Sequence, residues 1–288
     1  MDIKHLRCCA APQYKELLTS DRIAFSVQQR ILGSVCRDII TDESSFLICY
    51  SSAPYPIWIW LRDDADEELC ERIYTVLSES FDIEQHKFNT KYFFAEYLIR
   101  RARADGAELN IDTNMLVYTC DKTVAPRDVS GEARIATRSE LDCAAELFGM
   151  LHDEIDIDKK TKEEYRCDAE AYIKDGTLLF WLDASGERAA VATYRIDGDL
   201  GSISHVYTRS DKRRCGYASA LIYRICGLIA DRGAIPTLYT DGDYEASNKC
   251  YTALGFVLRG RLCTVAKQKG DQRENYRLQI PGIRLFTR

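Results

Sequence analysis

The sequence predicts an α/β protein, a mixed central sheet flanked by helices, arranged as two domains. Three observations lead there. Apolar runs of strand length, such as F-L-I-C-Y and I-W-I-W-L, alternate with amphipathic helical stretches along the chain. A polar segment over 121–132, carrying Pro126 and Gly131, breaks the apolar periodicity near the middle. The 288 residues also accommodate two domains at roughly 150 residues each. The expected division is an N-terminal α/β domain over 1–125 and a second domain over 132–288.

In the first half, Tyr14, Leu17 and Leu18 mark one short helix, and Ile23, Phe25, Val27, Ile31 and Leu32 a second that stops at Gly33. Runs 46–50 and 57–61 flank S-S-A-P-Y-P and read as a hairpin. Asp63, Asp64 and Asp66 open a helix whose Leu69, Ile73, Val76 and Leu77 share a face. A further helix spans 92–103, and 115–118 is a strand. Trp58, Trp60, Tyr92, Phe93 and Phe94 suit a core or an interface, or alternatively a ligand cage. This half shows no glycine-rich turn and no catalytic grouping.

The second half is more regular. A strand at 134–136 precedes a helix capped by Ser139 and Asp142, with Leu141, Ala145, Leu147, Phe148 and Leu151 on one face. After an acidic run at 153–158 come a helix at 162–174 and strands at 178–182, 189–196 and 200–207, joined by A-S-G-E and D-G-D. A helix at 217–230, a strand at 236–241, a helix at 246–254 and paired strands at 256–266 and 275–280 complete the pattern.

Composition narrows the function. Charges are mixed, with a net of -6 and no long basic patch, which argues against a general nucleic-acid binder. Twelve cysteines occur without one C-x-x-C pair, and the four histidines, His5, His86, His152 and His205, are scattered. No metal site is expected from that spacing, and the thiols read as free in a reducing cytosol. No apolar run reaches the ~18 residues of a membrane span, and the N-terminus lacks a signal-peptide core, so a cytoplasmic protein is expected.

One junction gathers the chemistry. At 206–220 the chain reads V-Y-T-R-S-D-K-R-R-C-G-Y-A-S-A: a strand ends, basic residues cluster and a helix begins. Backbone N–H groups of Arg213, Arg214, Cys215, Gly216, Tyr217 and Ala218 would point at a ligand from a helix start, which favours a phosphate. By itself the segment is either such an anion site or an ordinary connection with exposed arginines.

Two motifs decide between these. Arg213-Arg214-Cys215-Gly216-Tyr217-Ala218 fits Arg or Gln, two variable residues, Gly, one variable residue, then Gly or Ala. Residues 247–256, S-N-K-C-Y-T-A-L-G-F, fit S-N-x-x-Y-x-x-x-G-F. At this separation and after Val206, Tyr207 and Thr208, the two resemble the GNAT family of acyl-CoA-dependent N-acyltransferases over roughly 132–281. Cys215 and the pair Arg209-Ser210 depart from the family's usual residues without removing a backbone donor. The segment lacks the G-K-[ST] of a P-loop and the glycines of a dinucleotide motif.

The resemblance implies acetyl-CoA as cosubstrate, its diphosphate over the amides of 214–218 with Ser219 close by and Arg213 and Arg214 adding charge. It implies a strand ending at Thr208 that parts from one ending at Asp241, leaving backbone groups of Val206, Tyr207 and Thr208 for the pantetheine arm. Asn248 either caps its helix or meets that arm. Tyr251 corresponds to the tyrosine facing the coenzyme sulfur, as general acid or hydrogen-bond donor, or else is simply packed. His205 is the candidate base if it faces the cleft; strand alternation could send it to the far face. Glu154, with Asp153 and Asp156, lies where an acceptor wall is expected, or in a solvated acidic loop. Asp241 binds the acceptor or caps a helix. The reading is an N-acetyltransferase acting on a primary amine, of a small molecule or peptide, with a longer acyl donor or a non-catalytic acyl-CoA-binding module as alternatives. The N-terminal half would be a second α/β layer, a degenerate copy of the same fold, and oligomers are compatible with it.

Overall fold

The structure, a computed structural model, describes residues 2–155 and 160–267. Asp156 and the expected strand at 275–280 lie outside the described residues. The two halves repeat one order of elements. The first runs β1 (Lys4–Cys9), a 3₁₀ turn (Pro12–Leu18), α1 (Ser26–Leu32), β2 (Cys36–Thr41), β3 (Phe46–Tyr50), β4 (Ile57–Leu61), α2 (Glu67–Ser80), β5 (Phe88–Thr90), α3 (Tyr92–Ala104) and β6 (Leu109–Thr119). The second runs β7 (Glu132–Ile135), α4 (Leu141–Glu154), α5 (Lys162–Lys174), β8 (Leu178–Leu182), β9 (Arg188–Asp197), β10 (Leu200–Thr208), α6 (Tyr217–Ala230), β11 (Ile235–Asp241), α7 (Glu245–Ala253) and β12 (Val257–Lys267).

All twelve of these strands form one mixed sheet, in the order β1-β2-β3-β4-β5-β12-β6-β11-β10-β9-β8-β7. Its centre shows an exchange. β6, from the first half, lies between β11 and β12, and β12, from the second, lies between β5 and β6, all antiparallel. Each half therefore completes the other's sheet. Backbone pairing across the middle is continuous, with Thr237–Asp241 matched to Thr119–Met115.

Helices cover both faces, which explains the unbroken apolar strands. In β4, Ile57, Ile59 and Leu61 enter the core beneath α2 and α3, while Trp58 and Trp60 enter the one beneath α1. On the second half, α6 and α7 cover one face and α4 and α5 the other. α2 starts where the sequence places it: the Asp66 carboxylate accepts from Leu69 N–H at 2.9 Å, and Glu67 and Glu68 suit the positive helix end. The start of α4 differs from expectation. Thr137 and Glu140 form a capping box in place of Ser139 and Asp142, and buried Glu140 is held by Arg134 and Arg188 at 2.5 and 2.6 Å.

Close approach of α6 to the sheet requires Gly201 of β10, because a Cβ there would lie 2.3 Å from Ile229. This contact fixes α6 over β10. Of the twelve cysteines, Cys36, Cys49, Cys70, Cys120, Cys226 and Cys263 are buried free thiols, whereas Cys8, Cys167 and Cys215 are exposed.

Candidate active site

β10 and β11 run parallel and paired from Leu200↔Ile235 to Ile203↔Leu238, and there the pairing ends. β11 continues to Asp241 against β6, while β10 stays with β9 through a bulge between Ser204 and Tyr207. A gap opens between them. Beyond it, Arg214 takes φ 63° and Gly216, at the N-cap of α6, takes φ 88°, a left-handed conformation that glycine adopts without strain. The bulge, the gap and the turn follow one another along fewer than fifteen residues, as the motif implied.

The expected residues are seated unequally. Arg213 donates from Nη2 to the Glu154 carboxylate and from Nε to the Thr208 carbonyl at 3.2 Å, with its guanidinium 5.9 Å from the centre of the buried Tyr207 ring. The structure thus spends Arg213 on Glu154, and one backbone acceptor of Thr208 on Arg213. Arg214 and Cys215 are exposed. Tyr217 stacks on Trp181 at 6.3 Å, and Ser219 Oγ lies 3.2 Å from Cys250 Sγ. Val206 and Ala218 lie against the core under α6.

Asn248 is not a helix cap. Its amide nitrogen donates to the carbonyls of Asp241 and Gly242 at 3.0 and 3.1 Å, closing the β11–α7 turn, while its Oδ1 is buried without a partner. An amide N–H arriving in the gap would satisfy that orphaned acceptor. The open β10 edge, the orphaned Oδ1 and the glycine-lined turn together fit a pantetheine diphosphate. Among the described residues, no group of three or more His, Cys, Asp or Glu side chains is placed to hold a metal ion.

Tyr251 is 7% exposed, edge-on to Phe256 at 5.9 Å, and burial pushes its phenol well up. Such a hydroxyl keeps its proton. His205, at φ 50° in the bulge, stacks on Phe148 at 4.3 Å, meets Tyr172 edge-on, and places Nδ1 2.9 Å from Thr193 Oγ1. Thr193 belongs to β9, so the ring leans away from the β10–β11 gap. Burial and the nearby His152 lower its pKa to about 4. The geometry is that of a packed histidine, the far-face alternative of the two that strand alternation left open. Asp241 accepts from the N–H of Asp243 at 3.0 Å and does not cap α7, which starts after Tyr244. Glu154 also receives the Tyr244 hydroxyl at 3.4 Å.

The architecture has close counterparts among solved structures. A GCN5-related N-acetyltransferase from Sphaerobacter thermophilus aligns over 91% of this chain and 94% of its own, with TM-score 0.64 and 14% identity. A GNAT-family acetyltransferase from Colwellia psychrerythraea aligns over 93% and 100%, with TM-score 0.58 and 14% identity. One from Kribbella flavida aligns over 92% and 99%, with TM-score 0.58 and 11% identity. This chain has the GNAT fold. The model of the family described as FR47-like protein matches residues 184–265, which contain the gap, the turn and α7. No curated protein matches the sequence. The GNAT resemblance read at 206–220 and 247–256 therefore holds, and the structural likeness extends through both halves.

In the first half of this fold the corresponding turn has no glycine. The strand-to-helix junction after β4 reads R-D-D-A-D-E-E, an acidic turn that repels a diphosphate. The place beside β4 and β5 is filled instead: Lys91 Nζ pairs with Asp21 at 2.7 Å and Asp63 at 2.5 Å, and Trp60 Nε1 donates to Asp21 at 2.8 Å. Two residues of the site escaped the sequence. Tyr244 and Arg127 reach the turn from far along the chain, and neither stands in a motif.

Proposed function

We propose that the second half is an acyl-CoA-dependent N-acyltransferase that passes an acetyl group to a primary amine. One observation carries this: the strand gap, the β10 bulge and the glycine-opened turn converge at the start of α6. Acetyl-CoA would supply the activated acyl carbon and a thiol leaving group. The chain's own groups do the rest. The edge of β10 around Val206, beyond its last pair with β11, offers backbone partners to an extended arm, and an N–H there can meet the carbonyl oxygen as it gains negative charge. One such donor is worth about 3 kcal/mol.

The amides at 214–218 and the positive end of α6 hold the diphosphate, with Arg214 free to add charge. Tyr251 donates its hydroxyl proton in a hydrogen bond to the departing sulfur. It acts as a donor because an ordinary phenol near ~10 is a weaker acid than a thiol near ~8.5, and burial widens that difference. Glu154 and Tyr244 lie beside Arg213 at the edge of this turn, where a carboxylate favours a cationic amine.

Calorimetry with acetyl-CoA, followed by thiol release across small amines, polyamines and peptides, tests the proposal. Binding with release from at least one amine is expected. Failure to bind acetyl-CoA overturns it, and binding without release from any amine leaves only the non-catalytic module.

A further inference from the structure

The segment joining the two halves runs across the start of α6. Val124 N–H donates to the Leu254 carbonyl at the end of α7 at 2.9 Å, and the Ser130 carbonyl receives Trp181 Nε1 at 3.3 Å. Between these anchors, Arg127 Nη2 donates to the carbonyl of Arg214 at 3.2 Å. A Cβ on Gly216 would meet Val129 Cγ2 at 3.0 Å and Arg127 Nε at 3.5 Å, so this segment lies directly against the turn.

Beneath it is a cleft of about 350 Å³, lined among others by Pro126, Arg127, Asp128, Trp181, Tyr223 and Arg224. Its volume falls at the lower end of the range for small-molecule sites, roughly 300–1,000 Å³. Ala220, Tyr223 and Arg224 line it from α6, so the cleft begins about 6 Å along the helix from Gly216, with Arg127 between it and the turn.

The charges around the turn are already matched, with three exceptions. Arg209 pairs with Asp211 at 2.8 Å, Lys212 with Asp183 and Glu187 at 2.7 and 2.6 Å, and Arg213 with Glu154. Arg127, Arg214 and Arg224 have no carboxylate partner among the described residues. Arg127 uses a single N–H on a carbonyl, which leaves most of its fork open. Asp128 is the one carboxylate in the cleft lining, so the site is net positive.

Unpaired guanidinium groups beside a cleft that continues from a diphosphate turn suit a second phosphate on the same ligand. Tyr223, 40% exposed, offers a flat aromatic surface beside them. We propose that this cleft takes the adenosine end of the coenzyme and that Arg127 and Arg224 bind its 3′-phosphate. The interdomain segment thereby supplies part of the donor site. This rests on the acyl-CoA reading above and adds to it residues outside either motif.

Calorimetry of the full chain with coenzyme A and with 3′-dephospho-coenzyme A tests it, since the two differ by that phosphate alone. The wild type should prefer coenzyme A by about tenfold or more, the effect of a charge-assisted contact. Arg127→Ala should weaken coenzyme A alone and remove most of that preference, Arg224→Ala should do likewise, and Arg127→Lys should retain part of it. Thermal unfolding should be little changed, because Arg127 is exposed. Equal wild-type affinity for the two ligands, or an Arg127→Ala loss shared equally by both, overturns the inference and leaves the acyl-CoA reading standing. A wild type that binds neither ligand overturns both.

Discussion

The Arg213 guanidinium donates to the Glu154 carboxylate, tying the turn before α6 to the end of α4. The cation assigned to the diphosphate and the carboxylate assigned to the amine thus neutralise each other. Each ligand must compete for its partner. With side chains 39% and 31% exposed, the pair is worth only about 0.2–1 kcal/mol. Glu154→Gln should release Arg213 and tighten acetyl-CoA binding by up to about fivefold, while raising KM for a cationic amine. Donor affinity is read by calorimetry and KM by thiol release. Unchanged or weaker donor binding would remove Arg213 from the donor site.

Burial holds the Tyr251 phenol protonated. Replacing it with Phe keeps the ring against Phe256 and deletes only the hydroxyl. Tyr251→Phe should lower kcat by about 10²-fold, as for other single donors to a developing charge, with acetyl-CoA affinity nearly unchanged. The wild-type kcat profile should show no tyrosine limb below pH ~10. A loss of donor affinity equal to the loss of kcat would mean that the ring merely shapes the cleft.

Much of the second half was legible because its signals are local. The turn at 213–218 and the segment at 247–256 are short motifs, and β8, β9 and β10 are separated by obvious turns. β1, K-H-L-R-C-C, escaped because it is a largely exposed edge strand without apolar alternation, and β5 because it spans three residues. β2, C-R-D-I-I-T, escaped for want of alternation as well. The exchange of β6 and β12 is set by pairing between residues more than a hundred positions apart, and strand periodicity says nothing about partners. The same distance hid the site's second tier. Glu154 and Arg213 are 59 residues apart, and Arg127 and Arg214 are 87, so their contacts follow from the fold and not from spacing.

Lys91 tests whether the first half is purely architectural. Its side chain is 10% exposed, held by Asp21 and Asp63, at the place where the second half has the β10–β11 gap. Removing the ammonium group leaves Asp21, 21% exposed, without its cation, whereas Asp63, 81% exposed, stays hydrated, at a cost of about 1–2 kcal/mol. Lys91→Met should lower unfolding stability by that order in urea titrations, while acetyl-CoA affinity of the folded protein stays within about twofold. A large loss of affinity at unchanged stability would place a ligand in the first half.

His205 supplies the last test, because its seat under α4 and α5 has a pH signature. Its pKa falls from 6.5 to about 4 through burial first and the facing His152 second; Lys160 lowers it further and Asp168 opposes. In the unfolded chain the ring takes a proton below its ordinary value, and in the folded chain it resists until about 4. Its contribution is therefore complete above pH ~6.5 and is lost as the pH falls through the folded value, about 3 kcal/mol in all. Carboxylates such as Asp42, held near 2 by burial-opposed hydrogen bonds from Ser45, add their own acid loss only lower on the scale. Comparing wild type with His205→Asn isolates the histidine. Between pH 7.5 and 4.5 the wild type should lose roughly 2 kcal/mol more than the variant in urea unfolding. Parallel losses would mean that the folded ring accepts a proton freely, which requires water at Nε2 and returns His205 to the cleft as a base.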